Sequence, residues 1–156
     1  MLLSARLMIR SFQFLCENSI ERDLGMIEIY AISCKLIDTA SQLQQTSAFA
    51  EHCTYGQARM VGLAAVCILR IVRSDLAQQL DVEQGERGYF EAIRFSRSRS
   101  MKGSDLDSRN AGILTQLWSC KSLFRFKDGT VDSLRILLRG RLVRISRDQS
   151  LVEKQP

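Results

Sequence analysis

One stretch constrains this chain more than any other. Residues 57–81, QARMVGLAAVCILRIVRSDLAQQLD, hold no proline and a single glycine, Gly62. Residues 60–69 carry no charge. At about 100° per residue, Arg59, Arg70 and Arg73 fall close to one line on a helix. Almost every other direction is apolar, and such a helix is buried by its neighbours. The uncharged run is about half of the roughly 20 residues a bilayer span requires. The pattern predicts a core helix over 57–80 with one narrow polar stripe. Its expected core anchors are Leu63, Ile68, Leu69 and Val72, with Leu117 and Trp118 joining from a later helix.

Around this helix the chain reads as all-α, an irregular multi-helix bundle forming one domain over 1–156. The only proline is the last residue, Pro156, and no linker or low-complexity tract interrupts the sequence. Long stretches without turn punctuation favour helices, and no run alternates with the period of a strand. Leu3, Leu7 and Phe14 mark a first amphipathic helix. Arg6 and Arg10 break any signal-peptide core there. The absence of an acid before Glu17 would also suit a mitochondrial transit peptide. Asn18 or Ser19 can cap the next turn, which Gly25 is expected to interrupt. Ile29, Ile32 or Ser33, Leu36 and Ala40 then recur at helical spacing over 26–44. A connector over 47–56 follows.

Asp81 can cap a helix opening at Val82, with Glu83 and Glu86 near its positive end. Its apolar face is Val82, Tyr89 or Phe90, Ile93 and Phe95. Gly85 and Gly88 weaken it by about 1 kcal/mol each relative to alanine. A start signal at 104–107 precedes a stripe of Ile113, Leu114, Leu117, Trp118 and Phe124. Leu134, Leu138, Leu142 and Ile145 mark a last helix, whose leucine spacing argues that it packs on the core.

Chemistry finds little purchase. His52, the only histidine, sits between Glu51 and Cys53, and adjacent side chains rarely serve one tetrahedral zinc ion. The five cysteines are dispersed, odd in number and without a C-x-x-C pair, so they form no disulfide framework. Reduced thiols inside the cell are the simplest reading. There is no nucleophile elbow and no phosphate loop. The sequence therefore offers no catalytic, cofactor-binding or metal-binding residues. Net charge is +5, and the excess concentrates over 121–147, where eight Lys/Arg face two acids. Arg139, Arg141 and Arg144 could contact an acidic partner. Arg94, Arg97, Arg99 and Lys102 form a basic helix end, solvated or touching phosphates.

Three stretches carry a resemblance: RMVGLAAVCILRIVRSDLAQQLDVEQG over 59–85, YFEAIR over 89–94 and SDLDSRNAGILTQLW over 104–118. In order and spacing they resemble the regulatory, or middle-homology, domain of fungal zinc-cluster transcription factors, in particular the regulators of leucine biosynthesis and weak-acid response. Ser104, Asp105, Arg109, Leu117 and Trp118 fit that family's turn and following helix. Asp107 stands where the family has proline. Arg139-Gly140-Arg141-Leu142 looks like a later Arg-Ser-Arg. The family's six-cysteine zinc cluster, coiled-coil linker and acidic activation region have no counterpart here.

The resemblance implies a non-catalytic, nuclear regulatory domain controlling transcription by RNA polymerase II, read as a piece of a larger regulator. Its partners would be other regions of the same regulator or co-regulator proteins. It implies no cofactor, no membrane and no sequence-specific DNA binding by this chain alone. The rival expectation is a stand-alone helical module that binds nucleic acid or an acidic protein through its arginine-rich last helix.

Overall fold

The computed structural model describes residues 2–16, 18–100 and 105–120. Within them the fold is an all-α multi-helix bundle, without a strand among the described residues. Helix α1 (Leu2–Arg10) runs into a 3₁₀ turn at Ser11–Leu15, and α2 (Ser19–Ser47) follows. A one-turn helix α3 (Phe49–His52) leads to α4 (Tyr55–Val72), then to a second 3₁₀ turn at Asp75–Gln79. Helices α5 (Val82–Arg99) and α6 (Leu106–Ser119) complete it.

The apolar stretch does form a core helix, but a shorter one than its pattern predicts. The run over 57–80 is split: α4 ends at Val72. Ser74 donates to the Ile71 carbonyl at 2.6 Å and accepts from the Leu76 amide, opening the 3₁₀ turn. At its start Thr54 and Gln57 form a reciprocal capping box, so the helix begins at Tyr55. By length and composition alone α4 could cross a membrane. Its packing against α2, α5 and α6, and Arg59 within it, fit a core helix.

The centre is shared. Helix α2 is the longest element and touches α1, α3, α4 and α5. It does not break at Gly25. A Cβ there would meet the Gln13 side chain at 2.9 Å, so the missing side chain lets the first 3₁₀ turn lie directly on the helix. Gly85 acts the same way on α5, where the Tyr30 ring and hydroxyl occupy the space of a Cβ. These glycines, read from sequence as weak points, mark close approach.

The α4 arginine line is only partly a solvent stripe. Arg59 is exposed beside the Tyr55 ring, 5.8 Å away. Arg70 lies over the Phe14 ring at 4.4 Å, and Arg73 reaches the end of α6. On α5 the core takes Tyr89 and leaves Phe90 exposed; on α6 Leu114 is buried and Ile113 exposed. Phe124 and the expected last helix lie outside the described residues, as do Lys102, Arg139, Arg141 and Arg144.

Candidate functional site

Ile68 and Leu69 are fully buried, as their helical phase predicts. The Ile68 Cδ1 lies 3.6 Å from where a Gly88 Cβ would be, so Gly88 lets α5 settle onto α4. Leu63, Val72, Leu117 and Trp118 are half-buried and pack against that core. All four pack on the fully buried core from its edge. Trp118 belongs to an aromatic group with Tyr89 (ring centroids 4.7 Å apart) and Phe90 (5.2 Å). The Arg73 guanidinium sits 5.9 Å from the indole and donates to the carbonyls of Trp118 and Cys120, capping the end of α6. The Tyr89 hydroxyl donates to the Leu114 carbonyl at 2.7 Å.

A second arginine closes the other end of the same pair of helices. Arg99 pairs through Nε with Asp107 at 3.0 Å, and one Nη donates to the Cys53 carbonyl at 2.7 Å. Burial works against its charge, yet the hydrogen bonding to Cys53 and the Asp107 carboxylate hold its pKa above the ordinary value. Arg99 thus ties α3, α5 and α6 together. Within the run Arg97-Ser98-Arg99 nothing distinguishes it from its exposed neighbour Arg97. The only available hint is Asp107, in the place the resemblance assigns to proline.

One feature with room for a ligand is an apolar groove of about 510 Å³ between α1, the second half of α2 and the start of α4. Its size is ordinary for a small-molecule site, roughly 300–1,000 Å³. Met8, Leu36, Leu43, Phe49 and Met60 supply its walls, and no charged residue lines it. Three of the polar groups at its edge are already engaged. Thr39 donates to the Lys35 carbonyl at 2.7 Å, and Thr54 and Gln57 bond each other. The α2–α3 corner that closes one end turns on Ala48, the one non-glycine residue with positive φ (47°) among the described residues. The Ala50 amide is held there by the Gln44 side chain. Such a groove can hold an uncharged, largely apolar body; it presents no acid, base or nucleophile to one. Periodicity places Leu36 on the core face but carries no sign of a gap, because the gap lies between residues of three separate helices.

Among the described residues no three His, Cys, Asp or Glu side chains are grouped to hold a metal ion. His52 is exposed and Cys53 faces Arg99. The thiols of Cys34 and Cys67 are pushed up by burial, to about 11 and about 12, so both stay protonated at neutral pH. No protein-family model matches the chain, and neither does any curated protein or solved structure.

Proposed function

We propose that this chain is a non-catalytic regulatory domain of a transcription factor of the fungal zinc-cluster kind. It acts in the nucleus on transcription by RNA polymerase II, with DNA binding supplied from elsewhere. Its output passes to other regions of the same regulator or to co-regulators. The observation that carries this reading is the packing of the three resembling stretches. They fall on α4, α5 and α6, which fold against one another and are tied at Trp118 by Arg73 and at Asp107 by Arg99. Beside them, the groove at the start of α4 suits an uncharged apolar effector. A ligand shifts a regulator only through unequal affinity for two states. A groove whose walls come from α1, α2 and α4 is well placed to bias how those helices pack.

The test joins the chain between a heterologous DNA-binding domain and an acidic activator, in a reporter strain. The fusion is expected to lower or condition the reporter. Met60→Trp, which fills the groove, and Trp118→Ala, which opens the α6 clasp, are each expected to change that response. A wild-type fusion that expresses normally and matches the activator alone under all growth conditions ends the regulatory reading. Sequence-selective DNA binding by the isolated chain at physiological salt would replace it with the nucleic-acid-binding alternative.

A further inference from the structure

Helices α1 and α2 lie side by side and antiparallel. Arg6 and Arg10 both reach Glu28, and the Gln13 side chain comes within 2.9 Å of where a Gly25 Cβ would be. That seam fixes which way their other faces point. On α1 and the 3₁₀ turn after it, the core takes Leu7 and Phe14. At about 100° per residue, Leu2, Ile9 and Phe12 fall on the far side of the seam from them. On α2 the core takes Met26 and Ile29, and Ile20 and Leu24 fall beyond Gly25 and Glu28. The pair is therefore apolar on two opposite faces, one turned to the core and one turned out. On the outer face Leu2 is 76% exposed, Ile9 70%, Phe12 71%, Ile20 72% and Leu24 65%. At about 200 Å² for a fully exposed large side chain, these five present roughly 700 Å², above the roughly 300–600 Å² of the largest apolar patch on an ordinary monomer.

Area and charge both point to one kind of occupant. Each partner in a stable protein–protein interface contributes about 800 Å², and this face offers most of that. Its charges are matched within the chain: Arg6 and Arg10 pair with Glu28, and Arg22 with Asp23. Over residues 1–28 three arginines meet four acids, close to neutral. Neither sign is in enough excess to select an acidic or basic partner or an anionic lipid surface. A twofold contact sets one patch against itself, so it needs a patch that does not repel its own copy. The shape agrees. Two helices side by side leave a furrow between two ridges, which a second identical pair fills by ridge-into-groove packing. Stacked face to face, two α1–α2 pairs make a four-helix layer with its apolar surface inside.

We propose that this chain forms a twofold-symmetric homodimer through the outer face of α1, the first 3₁₀ turn and the start of α2. Leu2, Ile9, Phe12, Ile20 and Leu24 of one protomer lie against the same patch of its partner. The contact is independent of the regulatory reading above.

The test is sedimentation velocity on the full chain. The mass is expected to move from 17.7 kDa towards twice that value between about 1 and about 100 µM. Phe12→Asp and Leu24→Asp should each raise the dissociation constant at least about tenfold, with helical circular dichroism unchanged. Ile113→Asp, at an exposed apolar position on α6, should leave it unaltered. A second measurement identifies the face and decides the matter should either variant lose helix. The chain carrying p-benzoylphenylalanine in place of Phe12 is irradiated as a mixture of isotopically heavy and light chains. Heavy–light adducts mapping to residues 2–24 of the other chain are expected. Any of four results overturns the proposal. These are a chain still monomeric at about 100 µM, a dimer indifferent to both face variants, adducts within one chain or outside that segment, and association only with added anionic vesicles.

Discussion

The two ends of this sequence meet the same core in different ways. From α4 to α6, three polar side chains reach partners far along the chain. Tyr89 finds the Leu114 carbonyl, Arg73 the end of α6, and Arg99 the Asp107 carboxylate. From α1 to the first half of α2 the arrangement is looser. Arg6 and Arg10 share the part-exposed Glu28. The Nε and Nη1 of Arg22 are buried without a hydrogen bond, and large apolar side chains face outward. Buried polar groups that are fully satisfied fix one packing, whereas surface pairs contribute little. The difference locates specificity in the α4–α6 half and spare contact surface in the α1–α2 half.

The most severe break in that contrast is Ile68→Asp. An unpaired carboxylate at a fully buried position costs several kcal/mol and should unfold the domain. Phe12→Asp, on the open face, should keep the domain folded. Equal loss of helical circular dichroism in the two variants would show the halves to be alike.

Alkaline pH should act next. Burial raises the Cys67 thiol from 9.0 to about 12 and the Cys34 thiol to about 11. Below about pH 9 both folded and unfolded chains hold these protons, and the stability is fully present. Above it the unfolded chain releases protons that the folded chain keeps, so stability falls as pH rises. The slope approaches about 1.4 kcal/mol per pH unit for each thiol until its folded pKa is reached. Urea midpoints at about pH 8 and about pH 10.5 should separate, and Cys67→Ala should narrow the gap.

Gly85→Ala forces a methyl group into the Tyr30 ring and should cost about 1–3 kcal/mol through overpacking. Gly62, with nothing within 4 Å of its would-be Cβ, is the control. Gly62→Ala should stabilise by about 0.5–1 kcal/mol through helix propensity. Thermal shifts of the same sign would refute the close-approach account of Gly85.

Arginine truncations sharpen the comparison further. Arg73→Ala should cost about 1–2 kcal/mol, because it uncaps α6 and removes a cation from the Trp118 face. Arg59→Ala, on an exposed residue of the same helix, should fall within about 0.5 kcal/mol. A small effect of the opposite sign is expected at the α2–α3 corner. Ala48→Gly should raise stability by about 0.5–1 kcal/mol, since glycine adopts that left-handed conformation without a steric penalty.

Local signals proved the most legible. Asn18, Asp81 and Asp105 each cap the helix that follows, by accepting from a backbone amide two or three residues on. The burial of Leu7, Ile29, Ile68 and Ile93 follows from their period. What could not be read depended on partners distant in sequence. The break after Val72 is invisible because Leu76 and Leu80 continue a helical spacing, while the serine–backbone bonds that end the helix are equally available to a serine inside one. Gly25 and Gly85 look like interruptions until Gln13 and Tyr30 are seen to need the space. For the candidate groove, the sequence supplies the walls as ordinary core positions; the opening between them depends on how α1, α2 and α4 pack.

Arg73 has a consequence for the order of events in folding. The carbonyls it holds lie 45 and 47 residues further along the chain. Contacts between helices adjacent in sequence can form before so long a loop is closed. Closing it requires α6 to be docked already, so the Arg73 contact is expected to form after the main barrier. Removing that contact should therefore leave the refolding rate nearly unchanged and appear almost entirely as faster unfolding. The clasp would act as a latch on the native state, governing how long the domain stays folded more than how fast it gets there.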